Sequence, residues 1–167
     1  MAEFINTADV IGDDALTDGI IEKSITEFND NVITLVGDYA FRDCNALTSV
    51  CVPSVTKVGG YAFSMSEALR TVDLTSVITI AGYAFQVCSA LTALILRNTS
   101  ALPSLLNKDA ISYTAIASGA GYIYVPRNLV DSYKQSTNWS TYAAQFRALE
   151  DYTVDGTITG ELDPTKI

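Results

Sequence analysis

The sequence predicts an α/β solenoid of about four to five short coils, with a parallel sheet on one face and a C-terminal capping helix. Two observations carry this. Val36-Gly-Asp-Tyr-Ala-Phe41 recurs as Val58-Gly-Gly-Tyr-Ala-Phe63 and again as Ile80-Ala-Gly-Tyr-Ala-Phe85, an interval of 22 residues. Leu47, Leu69 and Leu91 keep the same step, as do Val50, Val72 and Leu94. A fixed short period means that each unit buries its apolar side against its neighbours, because no single unit is large enough to bury it alone. A 49% hydrophobic content over 167 residues supplies ample core.

One unit, residues 58–79, sets the pattern for the others. Val58-Gly59-Gly60 reads as a turn in which glycine permits positive φ. Tyr61-Ala-Phe63 leads into 64–68, compatible with one or two helical turns. Val72-x-Leu74 alternates as a short strand with one buried face. Thr75 to Thr79 returns the chain to the next coil. Val50 and Val52 match this strand in the first unit, and Leu94 and Leu96 in the third. A fourth, degenerate unit follows a Ser/Ala/Gly-rich insertion at 99–121. In it Ile123-Tyr-Val125-Pro126 restates Val50-Cys-Val52-Pro53, and Asp109-Ala-Ile111 echoes Tyr-Ala-Phe. The spacing from Leu94 to Ile123 is 29, seven more than the repeat.

The ends read differently from the middle. Ile25, Phe28, Ile33 and Val36 lie one period before Leu47, Val50, Val55 and Val58, so residues 1–32 form an acidic segment and a half-repeat cap. The repeats proper span 33–126. In 127–149, Asn128 is placed to cap a helix bearing Leu129, Val130 and Tyr133. Asn138 is placed to cap another bearing Trp139, Tyr142, Phe146 and Leu149 on one apolar face. Residues 150–167 form an acidic tail with a hairpin on the Asp155-Gly156 turn. Residues 1–10 and 160–167 read as loose.

Composition narrows the function classes. With 19 acidic against 10 basic residues, the net charge of −9 argues against nucleic acid and against an anionic membrane surface. No run approaches the ~18 apolar residues of a membrane span. No basic and apolar leader opens the chain, so it points to a protein that stays inside, leaves by a route not encoded here, or stands without its leader. There is no histidine, which removes the commonest general base and metal ligand and excludes Ser-His and Cys-His nucleophile systems. The acidic trio Asp13, Asp14 and Asp18 lacks the spacing of a calcium loop. No catalytic residue, metal site or cofactor is therefore expected. Cys44 and Cys88 share one repeat position two coils apart, with Ser66 between them. At ~4.8 Å per coil they lie ~10 Å apart, beyond the roughly 7 Å reach of a disulfide. Cys51 falls on another face, and all three read as free thiols.

Strand alternation also predicts a surface. If Val50/Val52, Val72/Leu74, Leu94/Leu96 and Ile123/Val125 point inward, two rows point out. One row is Ser49, Thr71, Ala93 and Tyr122, and the other is Cys51, Asp73, Ile95 and Tyr124. Arg70 and Arg97 flank them. Arg70, Asp73, Ile95, Arg97, Tyr122 and Tyr124 form the candidate protein-binding face, with Ile95, Tyr122 and Tyr124 its aromatic and apolar centre. The competing reading is that the insertion or the terminal helix covers these residues. Tyr39, Tyr61 and Tyr83 read as a stacking ladder that stiffens the coils.

The unit V/I-G-x-Y-A-F-x-x-C-x-A-L-T-x-V-x-V/L-P resembles the BspA-type leucine-rich repeats of bacterial and some protozoan surface proteins. The ending Tyr122-Ile-Tyr-Val-Pro126, Leu129-Val-x-x-Tyr133 and Asn138-Trp139 is similar to the end of such proteins from gut bacteria and their phages. The match spans roughly residues 33–149. It implies a right-handed leucine-rich-repeat solenoid and a non-catalytic protein-binding module, serving adhesion or surface recognition by a bacterial cell. The implied partner is a host or bacterial surface protein, and the implied location is the cell surface or the extracellular space. This chain has few repeats and shows neither leader nor anchor. The alternative is a small structural or receptor-recognition component of a phage-derived particle, or a cytoplasmic location.

Overall fold

The structure, a computed structural model, describes residues 22–154 and the strand pairs at Val10–Ile11 and Thr157–Ile158. In chain order the strands are Val10–Ile11 (β1), Glu27–Asn29 (β2), Leu35–Val36 (β3), Ser49–Cys51 (β4), Lys57–Val58 (β5) and Thr71–Leu74 (β6). Thr79–Ile80 (β7), Ala93–Leu96 (β8), Ser104–Leu105 (β9) and Tyr122–Val125 (β10) follow. After the six-residue helix Val130–Gln135 (α1) come Phe146–Ala148 (β11), Thr153–Val154 (β12) and Thr157–Ile158 (β13).

The coils contribute strands to two parallel sheets, not to the single sheet expected on one face, because the stretches read as a turn at 58–60 and a return at 75–79 also pair in register with their neighbours, at Lys57–Val58 and Thr79–Ile80. The first sheet runs β1-β3-β5-β7-β9 and the second β2-β4-β6-β8-β10-β11. Val50 pairs with Val72, Val72 with Leu94 and Leu94 with Ile123, so equivalent residues stand over one another. Phe28, Val50, Val72, Leu94, Ile123 and Phe146 face inward and are all buried. A one-residue slip would turn every one of them to solvent, which is why the repeat fixes the register. Val10–Ile11 extends the first sheet one strand beyond the expected half-repeat, pairing with Leu35 and Val36.

A third side links the coils without forming strands. The N–H groups of Tyr39, Phe41 and Asp43 donate to the carbonyls of Gly60, Ala62 and Ser64, and the pattern repeats from Tyr61, Phe63 and Met65. The helical turn expected at 64–68 is not formed. Tyr39, Asp43, Tyr61, Met65, Tyr83 and Val87 instead take positive φ, between 55° and 62°, which aims their amides at the next coil rather than along a helix. Positive φ at Gly59 and Gly60 does not hold either, since the left-handed position falls on Tyr61. Gly59 is required for a different reason. A Cβ there would lie 2.6 Å from the Asp38 nitrogen and the Gly37 carbonyl carbon in the preceding coil.

Aromatic stacks run through the coils. Phe41 and Phe63 stack at 4.9 Å and Phe63 and Phe85 at 5.4 Å between ring centres, inside the core. Tyr39, Tyr61 and Tyr83 form a parallel stack on the surface, with centre distances of 5.1 and 4.9 Å. The sulfur position is a small buried spacer, and Cys44, Cys51 and Cys88 are free. At that position the Ser66 hydroxyl donates to the Phe41 carbonyl (2.8 Å) and accepts from the Cys44 N–H (3.1 Å). The Cys88 thiol donates to the Phe63 carbonyl at 3.0 Å.

The insertion is spread through the fourth coil rather than looped out at one point. The offset between stacked residues grows from 22 to 25 at Leu105, to 26 at Ala110 and to 29 at Ile123. The C-terminal helix expected across 138–149 is not formed. Trp139–Gln145 is a kinked 3-10 segment preceded by Asn138, which has φ 66° and makes no side-chain cap bond; upstream, Pro126 precedes the 3-10 turn Arg127–Leu129 and Leu129, not Asn128, precedes α1. Phe146–Ala148 adds a parallel strand to the sheet edge, with Phe146 beside Ile123. Asn138 Nδ2 donates to the Leu105 carbonyl (2.7 Å), Trp139 Nε1 to Pro103 (2.8 Å) and the Tyr142 hydroxyl to Lys108. Side-chain donors thus take the place of the next coil along the last one, satisfying carbonyls that an open edge would leave bare.

β12 pairs antiparallel with β13, Thr153 against Ile158. The Asp155-Gly156 turn, the acidic trio at 13, 14 and 18, and the loose ends expected at 1–10 and 160–167 lie outside the described residues, except Val10, which is not loose but pairs with Leu35.

Candidate protein-binding face

The outer surface of the second sheet is built from two rows of stacked residues. One reads Glu27, Ser49, Thr71, Ala93 and Tyr122. The other reads Asn29, Cys51, Asp73, Ile95, Tyr124 and Arg147. From β2 to β6 the rows are polar and at least partly open to solvent, whereas Ala93, Ile95 and Tyr124 are buried.

The candidate residues therefore separate. Arg70 is exposed beside the open half. Asp73 and Arg97 form a two-pronged ion pair, Nε to Oδ1 at 2.8 Å and Nη2 to Oδ2 at 2.9 Å. This fork-to-fork geometry, about one-fifth exposed on each partner, raises the Arg97 pKa through the hydrogen bond to Asp73. Tyr122 is half-buried, with the Arg147 guanidinium 4.4 Å from its ring centre. Ile95 and Tyr124 are 1% exposed, so the expectation that they stand free on the face is corrected.

What covers them is neither the insertion nor the terminal α-helix expected over 138–149, but the 3-10 turn Leu149–Asp151 and Tyr152. The segment after β11 crosses the outer face, and Leu149 and Tyr152 pack with Ala93, Ile95 and Tyr124 into a second apolar cluster, with Tyr122 at its margin. Tyr124 meets Tyr152 edge-on at 5.1 Å and Tyr122 at 6.3 Å. Burial pushes the Tyr124 hydroxyl pKa far above its ordinary value. Arg127 holds the crossing from the side. Its backbone N–H donates to Glu150 Oε2 at 2.7 Å, and its guanidinium pairs with Asp151. Sequence reasoning misses Leu149, Tyr152, Arg127 and Arg147 because the spacing of Trp139, Tyr142, Phe146 and Leu149 predicts a helix there instead of a strand and a crossing segment. The usable signal was Phe146, 23 residues after Ile123 and so nearly one period on.

Among the described residues no group of three His, Cys, Asp or Glu side chains comes together for a metal ion. Burial pushes the thiols of Cys44 and Cys88 up to about 12, which keeps them protonated and unreactive. No helix among the described residues is long and apolar enough to cross a membrane.

No curated protein matches the chain. The sequence profile of a family described as BspA type leucine rich repeat region matches residues 9–120 in six copies, most of the chain and further toward the N-terminus than the motif alone reaches. With its 22-residue register and its stacked parallel strands, the chain belongs to that family.

Proposed function

We propose that this chain is a non-catalytic protein-binding module for adhesion or surface recognition by a bacterial cell, and that its coils close into a right-handed solenoid. The binding surface is the open half of the outer sheet, entered at Arg70, crossed at the Asp73–Arg97 pair and bounded by Tyr122. One observation carries this reading. The core takes only the inward residue of each strand pair, so Ser49, Thr71, Cys51 and Asp73 are spared for the surface, where the parallel register sets them side by side. An exposed cation, a planar ion pair and a half-buried tyrosine are groups that interface centres use. Family membership supports a protein partner. A pull-down against host matrix proteins and bacterial surfaces tests the proposal, with Arg70→Glu and Tyr122→Ser as face variants. The expected result is at least a tenfold loss of the captured partner in a folded variant. Capture undiminished by both substitutions would remove this face from consideration.

A further inference from the structure

The outer sheet already carries an occupant, and its chemistry describes what the surface takes. Leu149, Glu150, Asp151 and Tyr152 lie across β8 and β10, with two apolar side chains down and two acidic ones aside toward Arg127. Leu149–Asp151 is a 3-10 turn closed by the Tyr152 N–H donating to the Leu149 carbonyl. The segment's side chains seat it on the sheet, Leu149 and Tyr152 in the apolar cluster and Glu150 and Asp151 on Arg127. The apolar cluster beneath it is separate from the main core, on the opposite face of the same strands. Its ion pairs stand in solvent, with Arg127 about 61% exposed and Glu150 and Asp151 50% and 47%, so water and salt weaken them. A segment seated this way can leave without opening the coils.

We propose that residues 149–152 are a built-in, displaceable occupant of a peptide-docking surface. The surface formed by Ala93, Ile95, Tyr124 and Arg127 takes an acidic, aromatic-containing segment of a partner protein in their place. This rests on the reading of the chain as a binding module, and it adds the chemistry of the bound segment and the contact that restrains it. Charge complementarity with Arg127 selects the acidic pair, and the apolar floor selects the leucine and tyrosine.

The test uses the full chain and a fluorescent peptide of the sequence Arg-Ala-Leu-Glu-Asp-Tyr-Thr-Val, followed by anisotropy. In a variant carrying Leu149→Ser and Tyr152→Ser the surface is vacated. The peptide should bind this variant at least tenfold more tightly than it binds the unaltered chain. Adding Arg127→Ala, or replacing the peptide's Glu and Asp by Lys, should reverse the gain. Absence of binding to the folded double variant, equal binding to both proteins, or equal binding of the Lys peptide would overturn the proposal. If the double variant does not fold, Arg127→Ala alone decides. It should speed amide exchange at 149–152 at least fivefold while leaving 93–96 unchanged at the main-chain level, and unchanged exchange at 149–152 would overturn the idea. A dimer of the unaltered chain with exchanged segments would reassign the occupant to a second copy and overturn the partner assignment. No outside partner is used, so failure here leaves the pull-down test of the module independent.

Discussion

The two faces of the second sheet are made by the same strands and obey different rules. On the inner face, Phe28, Val50, Val72, Leu94, Ile123 and Phe146 are apolar and buried from one end to the other. On the outer face the same strands begin with Glu27 and Asn29 and end with Tyr122, Tyr124 and Arg147. A coil must match its neighbours on the inside, because each buries its core only against them. Outside, nothing but solvent or a partner has to be matched. The periodic residues therefore describe the fold, and the departures from the period describe the surface.

Breaking the inner face should have the largest effect. Leu94→Ala removes a buried side chain between two coils and should cost about 3–5 kcal/mol in chemical denaturation. Ile95→Ala, one residue along and beneath the C-terminal segment, should cost about 1–2 kcal/mol, because that segment can settle onto the smaller side chain. Equal costs would erase the distinction between the faces. Gly59→Ala tests how tightly the coils approach. The added methyl meets backbone at 2.6 Å, so the neighbouring coils must part, at about 2–3 kcal/mol.

Alkaline pH loosens the same interior by another route. Cys44 and Cys88 have folded pKa values of about 12 against an ordinary 9.0, raised first by burial. A raised folded pKa means that the unfolded chain loses its proton first as pH rises. The contribution is therefore complete below pH 9 and is lost between 9 and 12, at about 1.4 kcal/mol per pH unit for each thiol. Denaturation between pH 8 and 11 should show this fall, and replacing both cysteines by serine should flatten it. On the outer face Thr71→Ala should change stability by no more than about 0.5 kcal/mol, measured the same way.

The fold was legible where residues repeat. The Tyr-Ala-Phe register located the strands of the second sheet, the tyrosine stack and the free thiols, but not the first sheet, whose strands Lys57–Val58 and Thr79–Ile80 fall where a turn and a return are expected. It could not show how the turn side is built, since Tyr61 and Met65 take left-handed backbone that their residue types disfavour and donate their N–H groups to the Gly82 and Gln86 carbonyls of the next coil. The C-terminal end was misread for a related reason. Trp139, Tyr142, Phe146 and Leu149 have helical spacing, yet the open sheet edge offers Phe146–Ala148 a row of main-chain partners that an isolated helix lacks. Of the candidate face, alternation puts Asp73 and Tyr122 in the outward rows, and Arg70 and Arg97 follow from flanking those rows. The cover over Ile95 and Tyr124 comes from Leu149 and Tyr152, outside the period, where alternation has nothing to say.

Amide hydrogen exchange on the unaltered chain tests the separation of the two faces most directly. The account predicts that amides of residues 149–152 exchange at least a hundredfold faster than those of Val72, Leu94 and Ile123, in a separate opening event. Exchange of both groups at one rate, in one cooperative opening, would contradict it.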